Sequence, residues 1–411
     1  MATQRRKSSG TGKPSVHGSV WLAGVLLGVA ACGSGGPDQP VGTLTHQVDS
    51  TGSAVVVRNS GRAPRWSLEP VVTVGSEGSL GEPAPDEFGR ITAVSTDGSG
   101  ALWVADDLGH DIRVFDTDGA LVRRIGREGQ GPGEFLSIYS LAWVGDVLLV
   151  LDLGNGRVVE LSGSGEWLGT RPAPGSVGGR PATLRFYAVT DTTVFQWSLK
   201  PEDGRATPVW VEHRPDGVAG EWPQLALAPP APTVMRCEAS GSRTYFDVPF
   251  GGRLVQHPAG ARMTYVAWTP EYRIALLNPD GDTVRIVERD RSRVGVSDAE
   301  WALASADHTE FMREWPEARC QPSELGRPAT KPAMKNLLVD TSGRLWVEVY
   351  TDGGTEWEVF DSRGFLVGTM PGFAYLDRVA PSIRGNLLAW VEADSLGVER
   401  VRVARLSTAQ P

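Results

Sequence analysis

Four cations stand at nearly the same place relative to a short apolar run. Arg90 precedes Ile91-Thr-Ala-Val94, Arg185 precedes Phe186-Tyr-Ala-Val189, Lys335 precedes Asn336-Leu-Leu-Val339, and Arg378 sits inside Leu376-Asp-Arg-Val379. Arg253 and Ser137 are looser equivalents. If these runs are equivalent strands of a repeated unit set around one axis, the four charges meet at one level. A ring of cations in an acidic chain concentrates anions, and paired donors can hold a carboxylate or phosphate. The structural alternative is that each Arg stacks on a neighbouring Trp or pairs with an Asp of the next unit.

A second polar group is Asp106, Asp107, His110 and Asp111, with Asp152 and Asn155 in the matching loop of the next unit. Oxygen ligands of this kind suit Ca²⁺. Short Asp and Asn side chains also tie their own loop backbone together, which is a turn role without a metal. Beyond the leader, histidines fall at His46, His110, His213, His257 and His308, in the tether, in loops, in a third strand and in an insertion. That placement builds no three-histidine zinc site. No nucleophile motif, phosphate loop or His-Glu-x-x-His helix is present, so no catalytic residue, metal or cofactor is assigned.

The elements that position these residues are repeated. Val114-Phe-Asp-Thr-Asp-Gly-Ala-Leu-Val122 returns as Val359-Phe-Asp-Ser-Arg-Gly-Phe-Leu-Val367, identical at six of nine positions. Each copy of the unit reads as a short apolar run, a Gly turn, a second run often carrying Trp, a polar loop, a third run and an Asp/Asn-x-x-Gly hairpin. The second runs are 101–106, 147–152, 193–197, 263–268, 344–349 and 387–391. Six such runs predict six four-stranded units. Val, Trp, Phe and Tyr in short runs, punctuated by 50 Gly and 29 Pro, argue for an all-β chain. Such units bury their apolar faces only against one another, and closing them into a ring removes the exposed edges. The expectation is a six-bladed β-propeller. Trp66–Gly75 with Asp86-Glu-Phe88 matches Leu121–Gly126 with Gly133-Glu-Phe135, so it is expected to supply the fourth strand of a last blade at roughly 374 to 406, closing the ring.

Asp152-Leu-Gly-Asn-Gly-Arg-Val158, the 106–116 stretch and Gly126–Phe135 resemble NHL-type repeats, in particular those of bacterial six-bladed β-propeller lipoproteins. The resemblance covers about residues 53 to 408. Blade one departs from the pattern, with Gly109 and Asp111 where Asn and Arg are preferred. What the resemblance implies is a fold; its members bind proteins, peptides or carbohydrates, and fold does not confer function. Related propellers that act as lactonases or lyases use a channel metal held by carboxylate, amide or histidine ligands.

Residues 1–31 read as a targeting segment, with Arg5, Arg6, Lys7 and Lys13 ahead of a twelve-residue apolar stretch, Val20–Ala31. Twelve residues fall short of the roughly twenty a bilayer span needs. Val29-Ala-Ala-Cys32 resembles a lipobox, which makes Cys32 the expected lipidation site and 32–52 a flexible tether. Gly33 resembles the residue that follows the lipidated Cys in lipoproteins sent to the outer membrane. Cys237 and Cys320 then remain as a pair that an oxidising compartment would join. Taking four basic residues from 40 leaves 36 against 49 acidic, a net charge of −13. That balance argues against nucleic-acid binding.

Between blades four and five, about 291–332, Ser297-Asp-Ala-Glu300 reads as a capping box. Behind it Trp301, Leu303, Ala304, Phe311 and Trp315 recur at helical spacing up to Pro316, predicting one helix of about 18 residues. Cys320 would pin this insertion to blade three through Cys237. The expected protein is a monomeric, exported, lipid-anchored platform at 53–408 that binds a protein partner or an anionic ligand at its channel mouth and meets the membrane only through lipid. The runner-up is a metal-dependent lactonase or lyase.

Overall fold

The computed structural model describes residues 43–408 apart from 51, 79–83, 174–175, 178–179, 182, 203–204, 226, 228 and 231–233. The targeting segment 1–31, Cys32 and the tether through residue 42 lie outside the described residues. No helix among the described residues is long and apolar enough to cross a membrane.

Six antiparallel four-stranded units follow one another as blades, the sheet of blade four being widened to six strands by an added hairpin. From the axis outward, blade one is Ile91–Thr96, Leu102–Asp106, Asp111–Phe115 and Leu121–Ile125. Blade two is Ile138–Val144, Val147–Asp152, Arg157–Ser162 and Trp167–Pro172. Blade three runs Thr183–Thr190, Thr193–Glu202, Arg205–Arg214 and Gly217–Pro223. Blade four runs Leu254–Ala259, Met263–Trp268, Arg273–Leu277 and Thr283–Arg289. Blade five is Asn336–Val339, Leu345–Thr351, Gly354–Phe360 and Leu366–Pro371. Blade six takes Ser382–Arg384, Leu387–Ala393 and Glu399–Ser407 from the C-terminal part. Its outermost strand is Ser67–Val74, antiparallel to Glu399–Ser407 from Ser67 against Ser407 to Val74 against Val401. The ring closes as the repeat predicts.

The repeated phrase has a backbone reason. One oxygen of Asp116 accepts the N–H groups of Asp118 and Ala120 at 3.0 and 2.9 Å, and one of Asp361 accepts those of Arg363 and Phe365 at 2.9 and 3.0 Å. The turn then needs positive φ three residues on, where Gly119 (84°) and Gly364 (87°) sit. Asp97 and Asp340 do the same at the first turn of blades one and five. Their second oxygens take the indole N–H of Trp103 at 3.0 Å and Trp346 at 2.7 Å. The Trp of the second run is therefore a tie between turn and strand as well as a core residue.

Apolar residues of adjacent blades form the core. One cluster joins blades one and two through Trp103, Trp143, Ile138 and Val150, and another joins four and five through Tyr265, Ile274, Leu345 and Phe360. Blade three is the exception: its cluster of Val189, Phe195 and Trp210 is small.

Three expectations need correction. The tether does not extend to residue 52, because Thr45–Asp49 and Val55–Ser60 form a hairpin on the outer edge of blade four, the second strand parallel to Thr283–Arg289. Buried Asn59 holds it there: its Nδ2 donates to the Gly364 carbonyl at 3.1 Å and its Oδ1 accepts from the Leu366 N–H at 2.9 Å. The hairpin shields an edge by backbone pairing, and its first strand, Thr-His-Gln-Val-Asp, is polar and largely exposed, so the sequence there shows little strand pattern. The predicted helix is two, α1 (Asp298–Ala304) and α2 (Ala306–Glu314). The Ser297/Glu300 capping box forms, but Ser305 Oγ donates back to the Trp301 carbonyl at 2.7 Å, a bond that bends helices, and Leu303 is 81 % exposed. Finally, Cys237 is not in blade three. It lies on Val234–Ala239, which pairs with Ser242–Asp247 and with Arg319–Gln321 in a separate three-stranded sheet, and a disulfide joins it to Cys320 across that sheet. Phe246 of this sheet meets the rings of His308 and Phe311 on α2 at 5.2 and 5.1 Å.

Candidate functional site

The innermost strands of all six blades line an axial cavity of about 320 Å³. Their N-terminal ends form one mouth, where Arg185, Tyr375, Asp377 and Arg378 lie. At the other end Arg384 spans the blades, donating to the carbonyls of Thr96 and Gly145, 3.6 Å from Asp191 and 5.6 Å from the Trp143 ring.

The four aligned cations do not form a free ring. Arg185 and Arg378 line the cavity; Arg90 and Lys335 do not. Lys335 is 3.1 Å from the buried carboxylate of Glu348, which also accepts from the Tyr375 hydroxyl at 2.7 Å, and its ammonium lies 5.1 Å over the Tyr375 ring. Burial, and then the Glu348 charge, push the Tyr375 phenol well above its ordinary value. Arg378 pairs with Glu399 and donates to the Ile91 carbonyl. Of the looser equivalents, Arg253 pairs with Asp247 at 3.2 Å, and Ser137 donates to Asp107 at 2.9 Å. Taking charges out of water favours such neutralisation by the nearest carboxylate. Arg185 differs. Its guanidinium reaches only the Arg378 carbonyl, at 3.3 Å, and among the described residues no carboxylate lies within ion-pair distance.

The acidic loops are structural. Asp152 accepts from the N–H groups of Leu136 and Ser137 at 3.2 Å each, from Asn155 Nδ2 at 2.7 Å and from Arg157 Nε at 3.1 Å. Blade one reaches the same end by another route. Asp106 accepts from the N–H groups of Gly89 and Arg90 at 3.0 and 2.9 Å, and Arg113, two residues past the expected position, supplies the guanidinium at 3.0 Å. Asp111, in the place of the usual Arg, pairs with Arg113 and Arg124. Gly109 follows from this arrangement, since a Cβ there would meet Asp106 Oδ2 at 2.8 Å. Gly109, Asp111 and Arg113 thus compensate one another.

Sequence reasoning missed the middle of the channel. His257, read as a loop residue, stands on the innermost strand of blade four, because Pro258 made Leu254–Ala259 look unlike a strand. An innermost strand has no neighbour on its channel side, so it tolerates the missing N–H. His257 is 6 % exposed, its Nδ1 lies 2.8 Å from the Pro258 carbonyl oxygen, and its ring meets Tyr187 edge-on at 5.0 Å. Burial, with the Arg185 charge, lowers its pKa to about 4. On the other face of blade three, toward blade two, His213, bonded to Gln196 at 2.7 Å, is lowered to about 3, chiefly by burial. Among the described residues, the grouping of three His, Cys or acidic ligand atoms close enough for a metal is Cys237, His308 and Cys320, away from the cavity lining and with both thiols in the disulfide.

Blades, closure strand and channel define a six-bladed β-propeller, and a family model described as a 6-bladed beta-propeller matches residues 86–177. A member of the duf4221 family from Bacteroides vulgatus is similar over 85 % of this chain and 100 % of its own, at 11 % identity and TM-score 0.44. A virginiamycin B lyase from Staphylococcus aureus is similar over 88 % of this chain and 99 % of its own, at 7 % identity and TM-score 0.35. A gluconolactonase from Xanthomonas campestris is similar over 84 % of this chain and 98 % of its own, at 15 % identity and TM-score 0.37. No curated protein matches the chain in sequence.

Proposed function

We propose that this protein is an exported, lipid-anchored propeller that binds a small anionic ligand in its channel through Arg185. The observation that carries this reading is a guanidinium facing a cavity of about 320 Å³ with, among the described residues, no carboxylate within ion-pair distance, whereas Arg378, Arg384 and Lys335 each have one. An unneutralised cation in a partly desolvated site attracts an anion more strongly than one in bulk water.

Trp143 lines the same cavity and supplies a fluorescence signal. Citrate, sulfate and inorganic phosphate titrated into residues 33–411 should give a saturable change with at least one anion. Arg185→Gln should abolish it, and Arg90→Gln, outside the lining, should leave it intact. Titrations of Arg185→Gln that match those of the wild type, or the lack of saturation by any of the three, would sink the proposal.

The envelope address rests on Val29-Ala-Ala-Cys32 and the basic, apolar leader before it. Palmitate labelling of the full chain in a bacterial host should disappear in Cys32→Ser. Label retained in that variant would remove Cys32 as the anchor.

A further inference from the structure

We propose that the channel ligand is a hydroxy-carboxylate, its carboxylate held by Arg185 and Gln256 and its hydroxyl donating to His257. The proposal rests on the anion reading of Arg185 and adds to it the group beside the charge.

The site lies between the innermost strands of blades three and four. Arg185 and Tyr187 are two residues apart on one strand, hence on the same face and about 6.6 Å apart along it. Across the gap the Tyr187 ring meets His257 at 90°, which brings the blade-four strand beside Arg185. The protonation of His257 follows from its backbone partner. The Pro258 carbonyl can only accept, so Nδ1 carries the proton and Nε2 presents a bare lone pair. Among the described residues Nε2 has no partner, and His257 is among the residues lining the cavity. Gln256 is oriented by a chain of hydrogen bonds. The Trp197 indole donates to Gln224 Oε1 at 2.7 Å, and Gln224 Nε2 donates to Gln256 Oε1 at 3.3 Å, which leaves the Gln256 NH₂ as a donor.

The cavity wall therefore offers two donors, one of them charged, one neutral acceptor and an aromatic face. Each excludes a class of ligand. The cation excludes cationic ligands, and a simple carboxylate would satisfy Arg185 and Gln256 but leave His257 Nε2 unmet. A carboxylate carrying a hydroxyl satisfies all three, with its C–H face against Tyr187. A site that hydrogen-bonds a hydroxyl discriminates against the analogue that lacks it, because its own buried group is then left unpaired.

Tartrate and succinate test this directly, since they share carbon skeleton and charge at pH 7 and differ only in hydroxyls. Calorimetric titration of residues 33–411 should show tartrate binding about tenfold or more tighter than succinate. His257→Phe should reduce tartrate to the affinity of succinate and leave succinate within about twofold. Arg185→Gln should weaken both by about tenfold or more. Equal binding of the two by the wild type overturns the hydroxyl assignment and leaves the Arg185 reading standing. Failure of both to bind overturns the two together. The wild-type ratio needs no variant, so a His257→Phe protein that did not fold would not shelter the proposal.

Discussion

Between blades one and two, Trp103 meets Trp143 edge-on at 5.1 Å, and Phe135, Ile138, Leu148 and Val150 are inaccessible to solvent. Between blades three and four the corresponding space holds Glu212, Gln224, Gln256 and His257, while His213 and Gln196 share the other face of blade three with Phe186, toward blade two. Both interfaces descend from one repeated unit. In the first, every charge is shut into its own loop by the Asp106 and Asp152 networks, which leaves the blade faces apolar. In the second, polar groups face the neighbour and must each find a partner or pay their desolvation cost. Glu212 finds Arg214 at 2.7 Å and Arg262 at 3.0 Å, and Gln224 finds Gln256 at 3.3 Å. Where the chain of partners runs out, at His257 Nε2, it opens into the channel. Loss of the repeat signature and the gathering of polar groups beside the channel go together.

Breaking the regular interface should have the largest effect. Asp152→Ala removes five hydrogen bonds at once and leaves Arg157, whose side chain is 16 % exposed, without its counter-charge. Removing one partner of such a buried pair costs about 3–5 kcal/mol. Urea unfolding should show the loss; a change under 1 kcal/mol would mean that these loops do not hold the blades.

The irregular side carries a covalent staple instead. Cys237 and Cys320 are 83 residues apart in sequence, and a loop of that size adds about 4.5 kcal/mol by the loop-entropy model. Cys237→Ser with Cys320→Ser should therefore lower the melting temperature and open 234–321 to limited proteolysis before blades one and two are cut. Unchanged cleavage kinetics would show that packing of Phe246 on α2 suffices without the bond.

Acid should separate the two regions next. His213 and His257 have folded pKa values of about 3 and about 4, below the roughly 6.5 of an unfolded histidine. The unfolded chain then binds protons that the folded chain refuses, so the stability due to burying neutral imidazoles is whole above pH 6.5. It is lost as pH falls toward the folded values, at roughly 1.4 kcal/mol per unit for each ring. Urea midpoints at pH 7.0, 6.0 and 5.5 should decline for the wild type and less steeply for His213→Phe. Parallel slopes would mean that His213 takes up its proton without unfolding.

How legible each region was in the sequence follows from the same contrast. Blade count, the Ser67–Val74 closure strand and the Asp-x-x-Gly turns were all readable, because those positions serve the backbone and one residue type serves best. The aligned cations were readable as an alignment, but not their pairing with Glu348 and Glu399, which come from the second strand of blade five and the third strand of blade six, 13 and 21 residues further on. His257 was hidden by Pro258, and Gln256 by having no signature at all: an amide becomes informative only when Trp197 and Gln224 are seen to orient it. The first strand of the added hairpin, Thr45–Asp49, pairs by backbone and stays polar, which leaves almost no mark on side-chain pattern.

Arg262→Ala should give the smallest effect and the finest view of the irregular interface. Arg262 reaches Glu212 at 3.0 Å and lies 5.1 Å over the Trp222 ring, but its side chain is 45 % exposed. A half-solvated pair and a partly exposed cation–π contact together amount to about 1 kcal/mol, and Arg214 remains to neutralise Glu212. The residue also holds positive φ, at 60°, which costs an alanine as much as it costs arginine, so the substitution reports contacts and not backbone. A double-mutant cycle with Glu212→Gln isolates the pair. Coupling near 1 kcal/mol would place blade three's attachment to blade four in many weak polar contacts, whereas coupling above about 3 kcal/mol would make Glu212 a buried anchor equal to Asp152 and erase the distinction between the two interfaces.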